Sequence, residues 1–143
     1  HVTRMDGMFC GAESFNGDIS NWNVSSVRYM RSMFREAHSF NGNISTWDVS
    51  RVTDMERMFM DAQSFKDGNI SNWDVSRVTK MEGMFCNAKA FCGDLSNWNV
   101  SRVRYMALMF REARSFNGNI STWDVSHVTN MDRMFCNAKA FCG

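Results

Sequence analysis

The sequence predicts an α/β repeat fold, a solenoid in which each coil of about 25 residues adds one short parallel strand and one short helix. Three observations predict it. Tryptophans recur at Trp22, Trp47, Trp73, Trp98 and Trp123, at intervals of 25, 26, 25 and 25 residues. Aligned on them, every unit reads W-[DN]-V-S-x-V-x-x-M-x-x-M-F-x-x-A-x-x-F, followed by a glycine turn and [DN]-[IL]-S-[NT]. Within each unit the apolar spacing changes from alternation to a helical pattern.

The elements follow in order along a unit. Trp47-Asp48-Val49 alternates apolar, polar, apolar, as a strand of a few residues does. Met55, Met58, Phe59 and Ala62 then fall at i, i+3, i+4 and i+7, one face of an α-helix. Thr53 and Glu56 form a capping box at its start, repeated as Thr3/Asp6, Thr79/Glu82 and Thr129/Asp132. Arg28 and Arg104 stand where the other units carry the threonine, so those two helices are expected to start less well. Asn41-Gly42 or a related pair turns the chain back, with one extra residue in Phe65–Gly68. A single strand and helix cannot bury a face alone, so the units must stack and turn each repeat position into a column. The spacing Ile44-x-x-Trp47-x-Val49 is like the L-x-x-L-x-L core of leucine-rich repeats, which makes the expected solenoid leucine-rich-repeat-like. Residues 1–143 form a single array of about five and a half coils. It opens on HVTRMDGMF and stops at AKAFCG in mid-pattern, as a piece of a longer array would. A coarser order is present too: FNGNISTWDVS occurs at Phe40–Ser50 and again at Phe116–Ser126, the mark of a duplicated block of three units.

Composition narrows the function classes. With 44% hydrophobic and 22% charged residues the chain is globular rather than disordered. Sixteen basic and 15 acidic residues nearly cancel, so no whole-molecule field points to nucleic acid. No apolar run approaches the roughly 20 residues that span a bilayer. The 13 methionines and 12 phenylalanines sit at repeat positions and read as core, not as a cofactor box.

The string W-[DN]-V-S-x-V-T-x-M-x-x-M-F-x-x-A-x-x-F-N-G-[DN]-I-S resembles the BspA-like surface-protein repeat, a module of unknown function first described in mycoplasma lipoproteins and also found in protists. The resemblance covers essentially the whole chain. It implies a leucine-rich-repeat-like solenoid used for surface display, adhesion or protein binding, in an extracellular or cell-surface setting. An organelle or a complex in a eukaryotic microbe is the other setting it allows. It supplies no catalytic residues. The CNAKAFC pairs and the basic VRYM units depart from the bacterial pattern.

Two sets of residues are candidates for chemistry. Cys86/Cys92 and Cys136/Cys142 are pairs six residues apart. That spacing is not a zinc signature, and it leaves two readings: a disulfide within each coil, or small buried residues in a reduced compartment. Cys10 lacks a second cysteine because Asn16 occupies the equivalent position. The other set is a polar stripe, with Asp48, Asp74, Asn99 and Asp124 directly after the tryptophans and Arg51, Arg77, Arg102 and His127 three positions further on. Stacked, they make an acidic or amide row beside a basic row on or near the expected sheet face, either a solvated surface or a partner-binding edge. The serines two before and three after each tryptophan read as turn residues bonding their own backbone. No metal, cofactor or catalytic constellation is expected. The function expected is a non-enzymatic scaffold that binds a protein partner, with glycan binding through the Asp/Asn/Ser rows as the alternative.

Overall fold

Residues 1–142 are described by a computed structural model. Successive units stack directly on one another. Isolated parallel bridges join Arg4 to Tyr29, Tyr29 to Asp54, Asp54 to Lys80, Lys80 to Tyr105 and Tyr105 to Asn130, one per junction. The expected α/β architecture is nevertheless overturned. The only helical element among the described residues is a 3₁₀ turn, Ile70–Asn72, and no residue lies in an extended strand. The leucine-rich-repeat-like α/β solenoid, with a strand and a helix per coil, is therefore incorrect, and the chain is a ladder of hydrogen-bonded turns.

The segment read as a helix shows why. Through Met55–Ala62 the backbone N–H groups alternate in direction. Those of Met58, Met60 and Ala62 bond the carbonyl three residues back in their own coil. Those of Met55, Arg57, Phe59 and Asp61 instead donate to Lys80, Glu82, Met84 and Cys86 of the next coil, at 2.8–3.0 Å. The same four inter-coil bonds recur at every junction, from Met5, Gly7, Phe9 and Gly11 at one end to Met106, Leu108, Phe110 and Glu112 at the other. A helix would have directed each of these N–H groups to residue i−4. The alternation needs left-handed residues. Arg57 (φ 56°) and Asp61 (φ 61°) interrupt the right-handed run, and the equivalent pairs do the same in every coil, including Ser32/Glu36 and Leu108/Glu112.

Each non-glycine left-handed residue costs roughly 1–2 kcal/mol, and each net backbone hydrogen bond returns about 1 kcal/mol. In a coil such as that of Arg57 and Asp61, two of the former and four of the latter nearly cancel. The balance is therefore set by the core.

That core is a set of columns. All twelve phenylalanines stack in two of them, one running Phe9, Phe34, Phe59, Phe85, Phe110, Phe135 and the other Phe15, Phe40, Phe65, Phe91, Phe116, Phe141. Within a coil the two rings are nearly parallel and close, 4.0 Å apart for Phe59 and Phe65. Each such pair adds about 0.5–1.5 kcal/mol beyond burial. Met55, Met58, Val49, Val52 and Ile44 and their repeats in the inner coils fill the rest of the interior, whereas Val2, Met8, Val125 and Met131 in the end coils are exposed. The apolar residues assigned to the helix face do enter the core, but from successive turns. Glycine after the second phenylalanine is required by close packing: a Cβ on Gly118 would lie 2.8 Å from the Phe116 ring and 3.1 Å from the Gly93 carbonyl oxygen.

The expected strand and capping boxes are also corrected. Turns closed by Trp47 N–H on Ile44 and Val52 N–H on Val49 flank Asp48, which leaves no extended segment. The Thr53 hydroxyl does not cap a helix but donates to the Arg28 carbonyl one coil away at 3.2 Å, and Thr79 and Thr129 do likewise to Thr53 and Arg104.

A substitution separates the two backbones. Ser32 is left-handed with no side-chain hydrogen bond, and its column carries glycine at Gly7 and Gly83. Ser32→Gly is expected to leave the melting temperature unchanged or raise it, whereas in a helix interior it would cost about 1 kcal/mol. Thermal unfolding followed by tryptophan fluorescence reads the difference.

Candidate interaction face

The tryptophan column fixes the stripe that follows it in sequence. The buried Trp47 indole N–H donates to the Ile19 carbonyl of the preceding coil at 3.1 Å. Trp73, Trp98 and Trp123 repeat the bond to Ile44, Ile70 and Leu95. With the indole anchored inward, the next side chain must face solvent. Asp48, Asp74, Asn99 and Asp124 are all exposed, as are Arg51, Arg77, Arg102 and His127. The structure thus brings the two rows onto one surface of the ladder, although that surface is built of turns and is not a sheet.

The two rows differ in how occupied they are. Each Asp or Asn closes a turn on itself: Oδ1 accepts the backbone N–H of Ser50, Ser76, Ser101 or Ser126 at 3.0–3.1 Å. The serine hydroxyl and that N–H together hold the carboxyls of Asp48, Asp74 and Asp124 below their ordinary value of 3.8, with Arg51, Arg77 and His127 adding smaller charge effects. Asn23 and Asn99 make the same turns without charge, accepting from the serine hydroxyl at 2.7 Å. The acidic row is therefore chiefly a turn device. In the basic row the His127 ring meets the Ser126 hydroxyl at 3.3 Å, and no ion pair joins the row to the acidic one among the described residues.

Two residues that the sequence reading assigned only as missing caps belong to this face. Arg28 lines an open cleft with Arg51, Thr53 and Arg77, and Arg104 lines a second with Thr79, Ser101, Arg102 and His127. Their place two positions after the basic row was the available signal. Elsewhere on the surface several charges are paired: Arg31 and Arg57 contact Glu56 at 3.1 and 3.5 Å, and Lys80 contacts Asp54 at 3.4 Å.

The cysteines divide by burial. Cys86 is buried, while Cys10, Cys92, Cys136 and Cys142 are exposed, and all five are free thiols. Burial pushes the Cys86 thiol up, reinforced by the nearby Asp61 carboxylate, so it is a poor nucleophile. Among the described residues no group of three or more His, Cys, Asp or Glu side chains is placed to hold a metal ion. No helix there is long and apolar enough to cross a membrane.

A ladder of turns about an aromatic core, displaying the same polar rows on every coil, defines a repeat protein. The chain matches the family described as "Mycoplasma protein of unknown function, DUF285" over residues 1–68 and 65–143, and it belongs to that family. No curated protein and no solved structure matches it.

The depressed carboxyls carry a sign. A group whose folded pKa is lowered stabilises the fold at pH values above its unfolded value, and that contribution is lost as pH falls through the folded one. The native chain is therefore expected to lose stability below pH 3.8. Asp48→Asn/Asp74→Asn, which retains the turns as Asn23 and Asn99 do, should show a shallower loss. Melting temperatures of both proteins across that range test this; parallel curves would contradict it.

Proposed function

We propose that the chain is a non-catalytic repeat scaffold for protein–protein interaction, either displayed at the cell surface as an adhesion module or built into a larger assembly as a structural subunit. The observation that carries this reading is the division of labour within each coil. The apolar columns of the inner coils are committed to the interior, while Arg51, Arg77, Arg102 and His127 are repeated outward at fixed register. Such a surface offers one partner several equivalent contacts, and multivalency raises affinity without any deep pocket. The extracellular setting draws on the likeness of the W-[DN]-V-S and M-F-x-x-A strings to BspA-like surface repeats.

Photo-crosslinking residues introduced singly in place of Ser126, beside the basic row, and of Gln63 and Arg114, elsewhere on the exposed surface, test the proposal in cells that express the protein. One recurrent protein adduct is expected, formed from one face and suppressed by excess unmodified chain. No specific adduct from any position, or substrate turnover by the purified chain, would defeat the scaffold reading.

A further inference from the structure

Eleven of the twelve arginines of this chain fall into two groups, the exposed Arg114 standing outside both with neither an ion pair among the described residues nor a place on a cleft wall. Arg4, Arg31, Arg35, Arg57, Arg111 and Arg133 are held by Asp or Glu within 4 Å. Arg28, Arg51, Arg77, Arg102 and Arg104 have no ion-pair partner among the described residues, and these five line the two clefts of the interaction face. The clefts, of about 360 and 480 Å³, carry no carboxylate on their walls. They follow one another along the ladder, because Arg28, Thr53, Thr79 and Arg104 form one column in which each backbone N–H bonds the carbonyl of the coil before, at 2.9 Å. The Thr53 and Thr79 hydroxyls are occupied by those same carbonyls. The backbone of that column and its threonine hydroxyls are therefore self-satisfied, while the guanidiniums, those of Arg28 and Arg104 included, keep open donors.

Successive rungs of such a ladder are about 5 Å apart. Like charges at that separation repel by roughly 1 kcal/mol even in water, a cost that a docked anion relieves. A guanidinium fork matches carboxylate and phosphate equally well, so the neighbours of the groove decide which anion fits. Asp48, Asp74 and Asp124 run alongside Arg51, Arg77 and His127. They oppose a continuous phosphate or sulfate backbone, but tolerate carboxylates spaced along a chain. No aromatic side chain lines either cleft, so nothing is offered for base stacking, the usual companion of charge in single-stranded nucleic-acid grooves.

We propose that this groove docks an extended acidic segment of a partner protein, with its Asp or Glu side chains seated between the guanidiniums of Arg51, Arg77 and Arg102. The proposal rests on the interaction-scaffold reading and assigns that scaffold's face and ligand chemistry. A run of four coils is about 15 Å long, a span that five or six extended residues cover.

The test is fluorescence anisotropy with the intact chain and a labelled peptide of about eight residues alternating glutamate and serine, enough to overlap the groove at both ends. The same peptide with glutamine for glutamate, an oligothymidylate and a heparin fragment complete the set. The glutamate peptide should bind, weaken steeply with added salt, and lose about tenfold in affinity on Arg51→Ala/Arg77→Ala. The glutamine peptide should not bind. Arg31→Ala/Arg35→Ala, away from the groove, should change affinity by less than about twofold. Circular dichroism melts of both variants separate lost binding from lost folding, and Arg102→Glu supplies an independent groove change. Absence of glutamate-peptide binding at low salt overturns the proposal. So does binding indifferent to the groove variants, or tighter binding of oligothymidylate or heparin. A specific protein adduct on another face would leave the scaffold reading standing and remove only this groove.

Discussion

The direction of alternate backbone N–H groups controls this structure. In each coil four of them leave their own turn and bond the next coil, and the left-handed pair, Arg57 and Asp61 in the central unit, makes that geometry available. Everything else is in register with those bonds. Because the same four residues bond at every junction, identical side chains lie above one another, and a repeat in sequence becomes a column in space. Where both left-handed residues carry side chains, as at Arg57 and Asp61, strain and hydrogen bonding roughly cancel, so the columns must contribute the surplus. Two unbroken phenylalanine stacks and a tryptophan stack with 6.5 Å between Trp47 and Trp73 provide it.

The tryptophan links this interior to the surface. Its indole N–H is satisfied by the carbonyl of an isoleucine or leucine one coil away, so it can be buried without an orphaned donor. Anchoring the ring also fixes where the following residue points. The Asx turns at Asp48, Asp74 and Asn99 then set the path of the chain toward Arg51, Arg77 and Arg102. The exposed basic face is thus positioned by local turn chemistry, repeated by stacking, and free, among the described residues, of contact ion pairs to the neighbouring carboxylates, whose hydrogen bonds go to serine.

Much of this was legible in the residues. The period, the single insertion before Gly68, the stacking into columns and the identity of the core positions all follow from the aligned tryptophans. The secondary structure did not follow, for a specific reason. Met55, Met58, Phe59 and Ala62 are spaced as a helix face, but turns closed by i→i−3 bonds bring the same four inward. The distinguishing signal lay between them. Gly7 and Gly83 occupy what would be helix interiors, and the column of Asp61 also holds Gly11, Asn87 and Asn137, the residue types that tolerate positive φ. Thr53 was misassigned in the same way, since a hydroxyl that bonds a carbonyl one coil away carries the same sequence signature as an N-cap. The polar stripe was visible as two rows, whereas the share of Arg28 and Arg104 in it was not, because they stand in a threonine column.

The account stands or falls on where the alternate N–H groups go, and that can be measured directly. Hydrogen-bond scalar couplings in an isotope-labelled sample would report the acceptor of each amide. The account predicts coupling from the Phe59 amide to the Met84 carbonyl and from the Asp61 amide to the Cys86 carbonyl. Coupling from Phe59 to Met55, and from Asp61 to Arg57, would establish the α-helix in its place and contradict the ladder of turns.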